Sequence, residues 1–240
     1  MSFDQCTEYP CSHSDVAVAV NRTTAWAKQG FEHWCELVDA DSNPDDAPTL
    51  FGIIQGGVFP DLRKKSAQEI LALDFPAYAI GGLSVGEPKC EMFEVLDVLM
   101  PRMPQNKPRY LMGVGKPEDI VRAVSMGVDM FDCVIPTRNA RNASVYTWNG
   151  KMSLKAAYYA EDERPIDPEC GCHTCQNYSR AYIRHLFSAG ELLGPYLATH
   201  HSLYFFFDLM REIRQAILES RYADFVKNFQ RTFHPEVVPQ

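Results

Sequence analysis

Between residues 51 and 135, short apolar runs alternate with stretches of helical spacing, and this alternation limits the possible folds more than any other feature. The runs are Phe51–Gln55, Tyr78–Gly82, Tyr110–Gly113 and Met130–Ile135, most of them ending on a glycine or a polar residue. Between them lie Leu62–Leu73, Glu91–Met100 and Pro117–Met126. In the second of these, Met92, Val95, Leu96 and Leu99 fall at i, i+3, i+4 and i+7, so one helical face is apolar. Pro117 suits a first helical turn, and Glu118 and Asp119 favour the positive end of the helix dipole. Strands alternating with helices at a period of roughly 30 residues predict βαβ units and a parallel sheet.

In such sheets the chemistry gathers at the carboxyl ends of the strands. Those positions hold Gln55-Gly56-Gly57, Gly81-Gly82-Leu83, Gly113-Val114-Gly115 and Asp132, with Ser2-Phe3-Asp4 as a further strand end. A closed barrel of eight units needs about 250 residues, yet the pattern changes after Arg141. Either the sheet is open or the chain begins in the middle of a barrel.

Beyond Arg141, Ser144–Trp148, Asn149-Gly150 and Lys151–Leu154 predict a hairpin with an Asn-Gly turn. Helical stretches follow over 177–193 and 202–219. In the latter, Leu203, Phe206, Met210, Ile213 and Ile217 form an apolar stripe expected to face the core. Before them stands Cys170-Gly-Cys172-x-x-Cys175, the strongest local signal. Three thiolates this close make a soft pocket ready for tetrahedral zinc. His173, His185, His200 and His201 all compete for the fourth position. A site of three cysteines and one histidine has no open coordination position, so it would be structural.

The net charge of −8 argues against a binder of nucleic acid over its whole surface. The excess acid sits early, at Asp39, Asp41, Asp45 and Asp46, while Arg138, Arg141 and the later helices leave room for a local basic face. No apolar run approaches membrane-spanning length and no leader is evident, so a soluble, cytoplasmic protein is expected. Cys6, Cys11, Cys35, Cys90 and Cys133 are scattered, as reduced thiols would be.

Residue by residue, the strand ends leave alternatives open. Asp132 can be a nucleophile or base, or only a loop cap or a partner of Arg138. Gly81-Gly82-Leu83-Ser84-Val85-Gly86-Glu87 lacks the endings of a phosphate loop. It allows close approach to a flat ligand, or a turn that needs positive φ. Gln55 can bind a ligand or serve as a structural amide.

Together these segments resemble a bacterial-type tRNA-guanine transglycosylase (queuine tRNA-ribosyltransferase). The resemblance rests on Phe3-Asp4-Gln-Cys6-Thr-Glu-Tyr-Pro10, Phe51-Gly-Ile-Ile-Gln55-Gly-Gly57, Gly81-Gly-Leu-Ser-Val-Gly-Glu87 and Tyr110-Leu-Met-Gly-Val-Gly-Lys-Pro117. It continues through Met130–Asn142, the cysteine cluster, Ser179–Leu186 and Thr199-His-His-Ser-Leu203. It implies a (β/α)8 TIM-type barrel lacking its first strands here, with a C-terminal zinc-binding subdomain. Residues 1–143 would form the partial barrel, and 144–240 the hairpin, the zinc subdomain and the C-terminal helices.

The implied reaction replaces guanine at the anticodon wobble position with preQ1 through a covalent ribosyl-Asp intermediate, in queuosine biosynthesis. Asp132 matches the nucleophile. Asp4, Gln55, Gly82, Leu83 and Glu87 match the base-binding residues, with Tyr110 and Met112 lining the pocket. Asp4 would accept the N1–H and 2-amino donors, Gln55 and the Gly82 N–H would serve O6, and Glu87 with the Leu83 carbonyl would take the aminomethyl group. Val85, with Cys6, favours preQ1 over the larger queuine. Arg138 and Arg141 match tRNA contacts, with Lys151 and Lys155 as phosphate contacts. The register of Thr199-x-His-Ser-Leu selects His201 to join Cys170, Cys172 and Cys175 around one Zn2+. The family forms homodimers and binds tRNA bearing wobble guanine.

The family begins upstream of Phe3-Asp4, where the first strands and a second catalytic aspartate lie. The chain is therefore expected to be an incomplete form that folds weakly and has little or no turnover. The alternatives are a non-catalytic tRNA-binding or dimerisation partner that keeps the zinc subdomain, and an archaeal-type relative.

Overall fold

The computed structural model describes residues 1–40 and 48–234. Asp41, Asp45 and Asp46 of the acidic segment lie outside the described residues, as do 235–240. The chain divides into two compact units, one of Met1–Gly115 with Arg122–Cys133, the other of Lys116–Val121 with Val134 onward.

The first unit opens with α1 (His13–Ala40), then β1 (Phe51–Ile54), α2 (Pro60–Leu71), β2 (Ala77–Ile80), α3 (Lys89–Leu99) and β3 (Arg109–Leu111). Helix α4 (Pro117–Ser125), whose first residues Pro117–Val121 fall in the second unit, precedes β4 (Met130–Phe131). The sheet order is β1-β2-β3-β4 and every pairing is parallel, with Ile54 opposite Ile80, Ile80 opposite Leu111 and Leu111 opposite Phe131. All of β2 is buried, as expected of a parallel strand covered on both faces. Among the described residues the sheet is open and four-stranded. Ser2 extends it at one edge: its N–H donates to Phe51 O at 2.8 Å and its Oγ accepts from Ile53 N at 3.2 Å. That pairing carries Asp4 to the carboxyl end of β1.

Met92, Val95, Leu96 and Leu99 are buried together on α3, packed with Ile54, Ile70, Phe75, Tyr78, Ile80 and Leu111. Helix α1 was not expected. Its buried face is Val16, Ala19, Val20, Thr23 and Ala27, correct in spacing but too small and mixed to stand out as an apolar stripe. The strand expected over Met130–Ile135 stops at Phe131. Pro136 lies in the first turn of α5 (Ile135–Arg141), where its missing N–H costs nothing because that position has no helical partner.

The second unit holds α5, β5 (Ser144–Thr147), β6 (Gly150–Ser153), α6 (His173–Asn177), α7 (Arg180–Ala189), α8 (Leu193–Leu218) and α9 (Tyr222–Thr232). Strands β5 and β6 pair antiparallel with Thr147 opposite Gly150, so the turn residues are Trp148-Asn149 rather than Asn149-Gly150. Helix α7 begins on Ser179, whose Oγ accepts from Tyr182 N, and ends at Gly190 in the left-handed region. These caps set it shorter than 177–193.

Helix α8 starts well before Ser202, so His200 and His201 lie inside it. It buries Leu197, Ala198, His201, Phe205, Phe206, Leu209, Ile213 and Ala216. Of the expected stripe, Phe206 and Ile213 face the core, whereas Leu203 and Ile217 are exposed. The buried face is rotated because Phe205 and Leu209 pack inward instead. Among the described residues, no helix is long and apolar enough to cross a membrane.

Candidate active site and metal centre

Asp132 immediately follows β4 and is exposed. Its Oδ1 accepts the Tyr110 hydroxyl at 2.7 Å and the Gly113 N–H at 2.8 Å. Tyr110 lies on β3, and burial, then its hydrogen bond to Asp132 and that carboxylate's charge, push its pKa up to about 12. The phenol is therefore a permanent donor at neutral pH. A carboxylate held on one oxygen and open to solvent is equipped to act as a nucleophile.

The neighbouring strand ends supply polar groups of both kinds. Gln55, buried at the end of β1, donates from Nε2 to Asp4 Oδ2 at 2.5 Å, while its own N–H donates to Ser66 Oγ at 3.1 Å. Gly82 follows β2 with φ of +66°, and the Gln55 side chain lies against it where any Cβ would stand. Glu87 accepts from Ser84 N at 2.5 Å and Val85 N at 2.9 Å, bracing the loop from Leu83 to Gly86. Leu83 is buried and Met112 half-buried, its N–H donating to Ile80 O. A cavity of about 270 Å³ opens beside these groups, lined by Tyr9, Gly57, Gly82, Val85, Glu87 and Glu91.

Beneath them lies Arg63, which the sequence pattern gave no reason to single out. It is fully buried on α2, and its guanidinium donates to four main-chain carbonyls: Gly57, Ile54, Gly81 and Gly82. Burial lowers its pKa to about 9, with Glu87 opposing that shift, so it stays charged at neutral pH. The only signal for it in the sequence is an arginine on the sheet-facing side of a helix, three residues before Ser66.

A cavity of about 630 Å³ in the second unit is larger, with Asp162, Arg164, Arg180 and Tyr159 in its walls. Asp162 there pairs with Arg164 at 2.9 Å and Arg180 at 3.0 Å. The smaller cavity takes Gly57 and Gly82 from the two glycine loops and the carboxylates of Glu87 and Glu91 into its walls.

In the second unit, Cys170, Cys172, Cys175 and His201 are all buried, with their ligand atoms within 4.8 Å of one another. Nδ1 of His201 stands 3.7, 3.6 and 3.4 Å from the three sulfurs in turn. A tetrahedral zinc with ordinary Zn–S and Zn–N lengths requires edges of roughly 3.5 Å, so the donor set fits a metal ion. His201 Nε2 lies 2.9 Å from Tyr146 O, a contact that places the proton there and leaves Nδ1 as the ligand atom. Hydrogen bonds from Cys170 and Cys175 hold the Cys172 thiol well below its ordinary pKa. His200 instead faces Thr174 Oγ1, and His173 faces Asn177.

Arg138 and Arg141 stand three apart on α5, both exposed. Lys155 is exposed with its ammonium 5.7 Å from the Phe187 ring, and Lys151 is half-buried on β6.

The family model described as Queuine tRNA-ribosyltransferase matches residues 1–235. A queuine tRNA-ribosyltransferase of Desulforamulus reducens is 55% identical over 234 residues, covering 98% of this chain and 61% of the relative. Proteins of the same name from Thermoanaerobacter sp. and Moorella thermoacetica are 51% and 52% identical, with 97% and 98% of this chain covered. The chain spans about three-fifths of the length of these relatives, 61%, 60% and 60% respectively.

Proposed function

The chain belongs to the queuine tRNA-ribosyltransferase family, and from that premise we propose that its first unit carries the nucleophile and base pocket of a tRNA-guanine transglycosylase. The observation that carries the reading is Asp132, exposed at a strand end and held through one oxygen by Tyr110 and Gly113, in the same unit as Asp4, Gln55 and Gly82. Its carboxylate would attack ribose C1′ of the wobble nucleotide and expel guanine. The resulting ribosyl ester would then be attacked by preQ1, so that two inversions retain configuration. The target base must leave its stack to reach such a pocket.

Asp4 offers carboxylate oxygens to the N1–H and 2-amino group of guanine or preQ1, and the Gln55 amide bound to it fixes its orientation. The Gly82 N–H and the Gln55 amide serve O6. Glu87 and the Leu83 carbonyl receive the aminomethyl cation of preQ1, Met112 stacks on the base, and Val85 at the cavity wall limits the size of the substituent. Arg138 and Arg141 contact the anticodon loop.

One zinc ion held by Cys170, Cys172, Cys175 and His201 leaves no open position, so it would serve as a scaffold. A barrel completed by further strands and a cytoplasmic homodimer complete the proposal. An exposed stripe on α8 supports the dimer: Tyr196, Leu203, Phe207 and Leu218 share one helical face, with Phe207 74% exposed.

The test is incorporation of radiolabelled guanine into tRNA by the chain and by a version restored to the relatives' full length. The restored protein should exchange guanine, and Asp132→Ala should lose at least about 1,000-fold in rate. If the restored protein with Asp132 intact incorporates none, the transglycosylase reading fails and a tRNA-binding partner remains.

A further inference from the structure

Three of the four carbonyls that converge on Arg63 belong to the two glycine loops beside the proposed base pocket, and the fourth, Ile54 O, ends β1. Nε donates to Gly57 O at 2.7 Å, Nη1 to Ile54 O at 3.0 Å and Gly81 O at 2.8 Å, and Nη2 to Gly82 O at 3.2 Å. Among the described residues Arg63 has no carboxylate within ion-pair distance. Burying a cation without one is costly, and apolar packing would join two strand ends at lower cost. What the guanidinium adds is direction.

A trans peptide is planar, with its C=O and N–H pointing opposite ways. When Arg63 draws the Gly81 carbonyl inward, the N–H of the same peptide, on Gly82, turns outward. The Gly82 carbonyl likewise turns the Leu83 N–H. Gly82 itself stands in the wall of the cavity. Gly82 holds φ of +66°, a conformation that L side chains rarely adopt, so the loop needs an external clamp to keep one orientation. Gly56, at φ of +142°, packs against the Arg63 backbone with 2.7 Å between a built Cβ and Arg63 N, which fixes the other loop to the same residue. Ser66, on the same face of α2, holds the Gln55 N–H.

We propose that Arg63 is a positioning residue for base recognition: by clamping the carbonyls of both loops it aims the Gly82 N–H at the 6-position acceptor of the bound base. This role rests on the base-pocket reading given above. Lysine cannot replace it, because an ammonium offers three donors from one point and cannot span both loops as a planar fork does.

The probes are guanine and 6-thioguanine, which share N1–H and the 2-amino group and differ only in the acceptor at position 6. Equilibrium binding to the protein restored to the relatives' full length gives their affinity ratio without requiring turnover. The wild-type protein should prefer guanine by about tenfold, the value of one well-made hydrogen bond to a weaker acceptor's loss. In Arg63→Lys the preference should fall to less than about threefold, while binding of the rest of the base persists. Circular dichroism melts and metal content establish that the variant is folded, and Arg63→Gln serves if the lysine variant is not.

If Arg63 only braces the fold, both bases weaken by the same factor and the tenfold preference survives, which overturns the positioning role and leaves the pocket reading standing. If the wild-type protein binds both equally, the Arg63 role falls while the pocket reading stands; if it binds neither, the pocket reading falls and the Arg63 role falls with it.

Discussion

At the scale of single residues, the grip on Asp132 is the most informative contact. Tyr110 and Gly113 donate to the same oxygen, so removing the phenol leaves the carboxylate half-held. In the protein restored to the relatives' length, Tyr110→Phe should lower kcat for guanine incorporation by about 10- to 100-fold with KM for tRNA nearly unchanged, because on the proposed reading the lost hydrogen bond orients the nucleophile rather than the nucleic acid. An unchanged kcat would remove Tyr110 from the catalytic unit. Because its phenol is held near 12, no ionisation of Tyr110 should appear in the rate profile below about pH 10. Strand-end position alone identified Asp132, Gln55 and Gly82 as candidates, and the resemblance gave them roles. Arg63 stayed hidden because an arginine in a helix that also carries Asp61, Lys64, Lys65 and Glu69 looks like a solvated one. Its burial depends on which face of α2 meets the sheet, and that is a tertiary fact.

At the scale of elements, legibility followed side-chain size. Helix α3 carries large apolar residues at clean spacing and was evident. Helix α1 buries small residues, and α5 begins with a proline whose meaning reverses at a first turn. Helix α8 carries two apolar faces, one through Phe205, Leu209 and Ile213 and one through Leu203, Phe207 and Leu218. Periodicity cannot choose between them, but the metal pocket does, because His201 must face Cys170, Cys172 and Cys175. The adjacent His200, about 100° around the helix, cannot take its place. His201→Ala should therefore lose most of its bound zinc, whereas His200→Ala should retain about one equivalent per chain, as measured by metal analysis after dialysis. Full retention in His201→Ala would overturn the ligand assignment. Loss of metal should also loosen the core that Ile183, Leu186 and Leu197 share with the cysteines.

At the scale of the molecule, the α/β class followed from the alternation of elements, while closure of the sheet did not, because the same alternation suits an open parallel sheet and a barrel alike. The charge balance, 31 acidic against 23 basic side chains, says that acid should first relieve repulsion, yet one carboxylate works against this. Asp162 accepts from Arg164 and from Arg180, and only 8% of its side chain is exposed. The hydrogen bond from Arg164 leads the causes that hold its pKa well below the ordinary value, with burial opposing. A carboxyl whose pKa is lower in the folded state contributes its full stability above the unfolded value of about 3.9. As pH falls below about 4 the unfolded chain takes up the proton first, so stability declines and goes on declining until the folded carboxyl is itself protonated. Asp162→Asn should cost about 1–2 kcal/mol at pH 7, after allowing for solvent screening on the Arg164 side. In urea melts the gap between the two proteins should narrow steadily from pH 4 downward. A gap of the same size at pH 7 and pH 3 would mean that Asp162 acts through the shape of its hydrogen bonds, which asparagine only half reproduces, and not through its charge.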